Sequence, residues 1–80
     1  MTIHLLFFGI TADFVEASEV EIATKQHTSV ADFKSLLKNK YPKLENINSY
    51  AIAVNESYAD DNDILKATDV VAVIPPVSGG

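Results

Sequence analysis

Apolar and polar residues alternate in different ways along this chain, and each arrangement predicts a different element. From Ile3 to Ile10 (IHLLFFGI) nearly every position is apolar and rich in strand formers. A run this short with no helical stripe predicts a central strand buried on both sides. Glu19 to Thr24 (EVEIAT) alternates cleanly, Val20 and Ile22 against Glu19 and Glu21, which predicts a strand with one face in water. The link from Thr11 to Ser18 is longer than a tight hairpin and is expected to fold back as a short turn carrying Phe14 and Val15.

The period then changes from two to about 3.6. Val30, Phe33, Leu36, Leu37 and Tyr41 recur at helical spacing. Thr28 or Ser29 offers a hydroxyl to cap the first turn, and Asp32 sits where the positive end of the helix dipole favours it. Pro42 is expected to stop the helix. Tyr50 to Asn55 alternates Tyr50, Ile52 and Val54 with small residues, and Glu56 to Ala59 reads as a turn with a short strand. Asp60 to Asp63 is a polar loop, and Asp69 to Ile74 (DVVAVI) is a second apolar strand.

Two central strands at opposite ends of the chain, with one helix between them, predict an α+β fold. It is a β-grasp, or ubiquitin-like, mixed sheet of four to five strands with the first and last side by side and parallel. The domain is expected to span residues 1–74, with residues 75–80 as an extended tail. A single helix covers one sheet face only. Ile3, Leu5 and Phe7 must point opposite to His4, Leu6 and Phe8, so one of these sets is left for loops or for another protein.

Composition narrows the function classes. At 80 residues there is room for one small domain without a deep walled active site. The chain has no Cys, so disulfides, thiolate metal sites and a cysteine nucleophile are absent, and a cytoplasmic setting is expected. No apolar run approaches the ~20 residues of a membrane span, and the N-terminus lacks the basic flank expected of a signal peptide. Six Lys, no Arg and 11 acids give a net charge of -5, which argues against nucleic acid as a partner. Five of the six Lys fall between Lys25 and Lys43, and Lys34, Lys38 and Lys40 are expected on the helix's solvent side. His4 and His27 have no acid at ligand spacing, and Asp60, Asp61 and Asp63 lack the Gly and closing Glu of a calcium loop. No metal site is expected.

What remains is the end of the sequence, Pro75, Pro76, Val77, Ser78, Gly79 and Gly80. At ~7% glycine a terminal Gly-Gly arises by chance in about 0.5% of chains, and here two of only three glycines are the last two residues. Two prolines hold an extended arm, and glycines without Cβ atoms thread a narrow channel. Such an end delivers a carboxylate into another protein's active site. A carboxylate is a poor electrophile, so it must first be activated, for instance as an acyl adenylate; sulfur attack on that anhydride leaves a thiocarboxylate.

LFF at Leu6 to Phe8, AVN at Ala53 to Asn55, the turn from Leu65 to Asp69 and VAVIPPVSGG at Val71 to Gly80 together resemble the small-subunit family of molybdopterin synthase, the MoaD-type sulfur carriers. The resemblance covers the whole chain. It implies that Gly80 is adenylated by an E1-like activating enzyme using ATP, with no cofactor bound permanently, and is then converted to a thiocarboxylate. The tail residues Pro75, Pro76, Val77, Ser78 and Gly79 would thread into the large subunit, in a heterotetramer of two small and two large subunits. There sulfur would be donated to cyclic pyranopterin monophosphate, while Leu6, Phe8, Tyr58 and Ile74 would form an apolar partner-binding surface. Alone, such a chain would be non-catalytic.

The chain departs from the family pattern in two places. Ala12 stands where relatives often carry Arg, and Ala67 and Thr68 replace an Asp-Gly turn. Thr tolerates positive φ poorly, so that turn is expected to differ in form. A ubiquitin-like protein modifier linked through Gly80, or a sulfur carrier for thiamine or a sulfur amino acid, would use the same tail.

Overall fold

The first strand, β1 (Thr2–Phe7), pairs with β2 (Glu19–Ala23) antiparallel on one side and with the last strand, β5 (Val70–Ile74), parallel on the other. These assignments come from a computed structural model that describes residues 1–46 and 50–76. Strands β3 (Ala51–Val54) and β4 (Ser57–Tyr58) complete a five-stranded sheet in the order β2-β1-β5-β3-β4. The fold is therefore α+β, a mixed sheet with the predicted central parallel pair.

One long helix, α2 (Val30–Lys40), crosses one face. Its cap is Ser29, whose hydroxyl accepts from the backbone N–H of Asp32 at 3.1 Å, satisfying a donor that the helix cannot pair internally. Val30, Phe33 and Leu37 are completely buried. They meet Ile3, Leu5 and Phe7 of β1, Ile22 of β2, Ile52 of β3, and Val71 and Val73 of β5, all part of the same core. Pro42 ends α2 as expected but also opens a 3₁₀ turn, Pro42–Asn46, which drives Leu44 into this core.

Three local expectations are corrected. The apolar run from Ile3 does not continue as strand to Ile10: β1 ends at Phe7, and Gly9, at φ +56°, turns the chain into a short helix α1 (Ile10–Val15) where a simple turn was expected. Glycine reaches that φ without a Cβ clash, which makes the reversal cheap there. Nor are the two central strands buried on both faces. Their burial alternates, because α2 covers only one side.

The third correction concerns Thr68. It adopts φ +69° itself, so the turn before β5 keeps the left-handed position although no glycine is there. Thr68 N–H donates to the carbonyl of Thr2 at 3.2 Å. The Asp69 carboxylate, almost wholly buried, accepts from Lys66 N–H at 2.8 Å and from Asn55 Nδ2 at 3.0 Å. Those bonds hold the turn against the threonine's preference. Asn55 and Glu56 also have positive φ, the requirement of a two-residue hairpin loop whose twist matches its strands; the loop joins β3 to β4 in the register Val54 to Ser57.

Candidate functional site

The sheet face opposite α2 carries an apolar groove of about 350 Å³. Register explains its lining. Leu6 pairs with Ala72, and Ala53 pairs with both Ala72 and Tyr58, so small residues form the floor and larger ones the walls. Phe8, Tyr58, Val70 and Ile74 join them, with Glu56 at the edge. Phe8 is 48% and Tyr58 75% exposed. A contiguous patch of this kind with aromatic walls is costly to leave in water. All four residues named above as the partner surface, Leu6, Phe8, Tyr58 and Ile74, thus line one groove.

The tail starts at the rim of that groove. Ile74 is the last residue of β5, and Pro75 and Pro76 follow; Val77, Ser78, Gly79 and Gly80 lie outside the described residues. Phe8 N–H donates to the carbonyl of Val73 at 3.1 Å, which extends the parallel pairing one residue past β1. Pro75 rests against Gly9, where a Cβ would come within 3.1 Å of the proline Cγ. Thr11, with no exposed surface, donates its hydroxyl proton toward Phe8 O at 2.5 Å, with Val73 O at 3.4 Å.

Sequence reasoning had not singled out Gly9 or Thr11. The signal for Gly9 was present as an isolated glycine at the end of an apolar run. Thr11 left none, because its role depends on a carbonyl 62 residues away. Ala12 is half-buried within α1 and packs on the core, so it presents no polar group here.

Glu56 is the one charged residue among those lining the groove, and the ion pairs lie elsewhere. His4 Nε2 lies 2.6 Å from Glu19 Oε1, an ion pair when the imidazole is protonated. On the helix side Lys34 reaches Asp61 at 2.8 Å. Burial pushes the Tyr50 hydroxyl above its usual range, with Lys34 and then Lys38 pulling partly in the other direction. Among the described residues no three of His, Asp and Glu cluster in a way that could hold a metal ion, and no helix is long and apolar enough to cross a membrane. The groove offers apolar area and shape, with Glu56 its one carboxylate.

The profile of the ThiS family matches residues 5–80. The chain belongs to the ThiS family. Among its relatives is the Arabidopsis thaliana protein named molybdopterin synthase sulfur carrier subunit, which is 45% identical over 79 residues, covering 98% of this chain and 82% of that one. A solved complex of subunits 1 and 2 of molybdopterin-converting factor from Helicobacter pylori contains a chain similar to this one throughout. It has 27% identity, a TM-score of 0.73 and complete coverage of both chains. SAMP1 of Haloferax volcanii superposes with a TM-score of 0.87 at 22% identity, again with complete coverage of both; at that identity the likeness concerns the ubiquitin-like ThiS-family fold alone. The resemblance first carried by LFF, AVN and VAVIPPVSGG is thereby borne out at the level of the family.

Proposed function

We propose that this chain is the sulfur carrier subunit of molybdopterin synthase, acting in the cytoplasm. The observation that carries this reading is the junction of groove and tail: Ile74 lines the apolar groove, and the next residue begins the PPVSGG arm. A partner that covers Phe8, Tyr58 and Ile74 therefore receives the arm at the edge of its own footprint. The relatives named as carriers, and the complex between subunits 1 and 2 in a similar protein, support the same reading.

In this scheme the Gly80 carboxylate attacks the α-phosphorus of ATP on an E1-like enzyme, and pyrophosphate leaves. A sulfur nucleophile then displaces AMP from the acyl carbon, so one C–O bond is replaced by C–S. The thiocarboxylate enters the large subunit, in a complex of two small and two large chains, and passes sulfur to cyclic pyranopterin monophosphate. Two such transfers build the dithiolene. The small subunit contributes the sulfur and its docking groove; preorganised donors for the transfer must come from the large subunit.

Intact mass spectrometry tests the first half. Incubated with ATP, the activating enzyme and a sulfur source, the chain should gain the mass of one oxygen-to-sulfur exchange, and only then support molybdopterin formation with the large subunit. Deleting Gly80, or adding one residue after it, should abolish both steps and leave the fold intact. Sulfuration of the pterin by the extended chain would refute the tail's role, and isopeptide conjugates to lysines in place of the mass gain would favour a protein modifier.

A further inference from the structure

We propose that Gly9 and Thr11 form a bracket that fixes the direction in which the tail leaves the domain, making them positioning residues for the chemistry at Gly80. The proposal rests on the carrier reading above, because it assumes that the reacting atom lies at the end of the arm.

Gly9 is held for two separate reasons. Its φ of +56° strains any L side chain, and a Cβ would sit 3.1 Å from Pro75 Cγ, tighter than ordinary packing permits without displacement. The first residue of the tail is therefore seated on the one residue of the β1–α1 turn that has no side chain. The proline ring fixes its own φ and confines Ile74 before it to extended backbone. Seating that ring on Gly9 leaves the exit of the arm little freedom.

Thr11 secures the other side of the same junction. Burying a hydroxyl is costly unless it is bonded, and an apolar side chain of the same shape would fill the space equally well. The hydroxyl has one proton, and its two acceptors are the carbonyls of Phe8 and Val73. These belong to the ends of the two central strands. The Val73 carbonyl also accepts from Phe8 N–H. The last carbonyl before Ile74 and the tail is thus bonded by Phe8 N–H and approached at 3.4 Å by the Thr11 hydroxyl, whose single proton lies toward Phe8 O, so the exit of the arm is tied to Phe8, the aromatic wall of the groove.

This lock matters because of leverage. Drawn out in a partner's channel at ~3.1 Å per residue, the five residues after Pro75 span about 15 Å, so a tilt of ~10° at the base shifts the tip by almost 3 Å. A misplacement of about 1 Å can cost ~10²-fold in rate. Groove contacts set how tightly the partner binds; the bracket sets whether the docked complex reacts.

The test compares Gly9→Ala, Thr11→Val and Thr11→Ser in the full chain with the activating enzyme and the large subunit. Thr11→Val should lower the single-turnover rate of sulfur transfer at saturation by about tenfold or more, while Kd for the large subunit stays within about twofold. Thr11→Ser, which keeps the hydroxyl, should restore the rate. Gly9→Ala should be slow in the same way, and the nuclear Overhauser contact between residue 9 and the Pro75 ring that this seating predicts for the wild-type protein should be weakened or lost.

Rates equal to wild type per folded molecule, or a raised Kd with an unchanged saturated rate, would overturn the bracket. Failure of Thr11→Ser to recover would also overturn it. Should Gly9→Ala not fold, Thr11→Val preserves side-chain volume and decides the matter. A wild-type chain that never acquires sulfur overturns the carrier reading instead, a result separate from wild-type activity with indifferent variants.

Discussion

Phe7 and Phe8 are neighbours in the chain yet serve opposite faces of the sheet. Phe7 is 3% exposed and meets the ring of Tyr41 edge-on at 5.4 Å, whereas Phe8 is 48% exposed and walls the groove. Phe7→Ala should cost about 3 to 5 kcal/mol of stability by emptying a core site. Phe8→Ala, giving up only part of its burial, should cost about 1 kcal/mol and chiefly weaken binding to both the activating enzyme and the large subunit. Calorimetric titration with each partner, run beside urea melts, checks the pair. If the two phenotypes are exchanged, the groove is not the docking face.

Thr68 holds a left-handed φ of +69° that a β-branched residue resists. Left-handed backbone costs an L residue about 1 to 2 kcal/mol, and glycine returns roughly 0.5 to 1 of that as unfolded-state entropy. Thr68→Gly should therefore stabilise the protein by about 0.5 to 1 kcal/mol, since the backbone bond to Thr2 and the Asp69 contacts survive. Chemical denaturation measures it directly; a lower midpoint would mean that the threonine side chain contributes contacts worth more than its strain.

Alkaline pH provides a third check. Burial holds the Tyr50 hydroxyl above its ordinary value, against the pull of Lys34 and Lys38. The folded state then keeps the proton to higher pH than the unfolded state. This contribution to stability is fully present below about pH 10 and is lost as pH rises through the raised value. Tyr50→Phe should lose less stability than wild type across that interval. The two proteins differ only in this hydroxyl, so the difference between their urea midpoints isolates Tyr50. Parallel curves would show that the hydroxyl stays well solvated.

What could be read from the sequence was whatever rests on local periodicity. Alternation in Glu19 to Thr24 gave β2, the helical stripe from Val30 gave α2, and the two apolar runs gave the central pair. The groove was within reach for the same reason: once Phe7 is assigned to the core, strand geometry puts Leu6 on the other face. Features held by distant partners were not legible. Thr11 bonds to Val73, and Thr68 is kept in an unfavourable conformation by Asp69, Lys66 and Thr2. A propensity rule predicts that Thr avoids positive φ, and tertiary hydrogen bonds overrule it. Gly9 deceived for a related reason, since an apolar run on both sides of it concealed the place where strand becomes helix.

The parallel pairing of β1 with β5 joins segments at the two ends of the sequence, and the groove draws on β1, β3, β4 and β5 at once. No stretch of the chain contains the groove by itself. Phe8 and Ile74 stand 66 positions apart in sequence and become neighbours only when the sheet closes. An unfolded copy would still possess the six tail residues but would offer no face to accompany them. On the carrier reading proposed above, any partner that must grip the groove before receiving the arm would discriminate folded molecules from unfolded ones without a separate inspection step, and a damaged domain would withhold its own terminus.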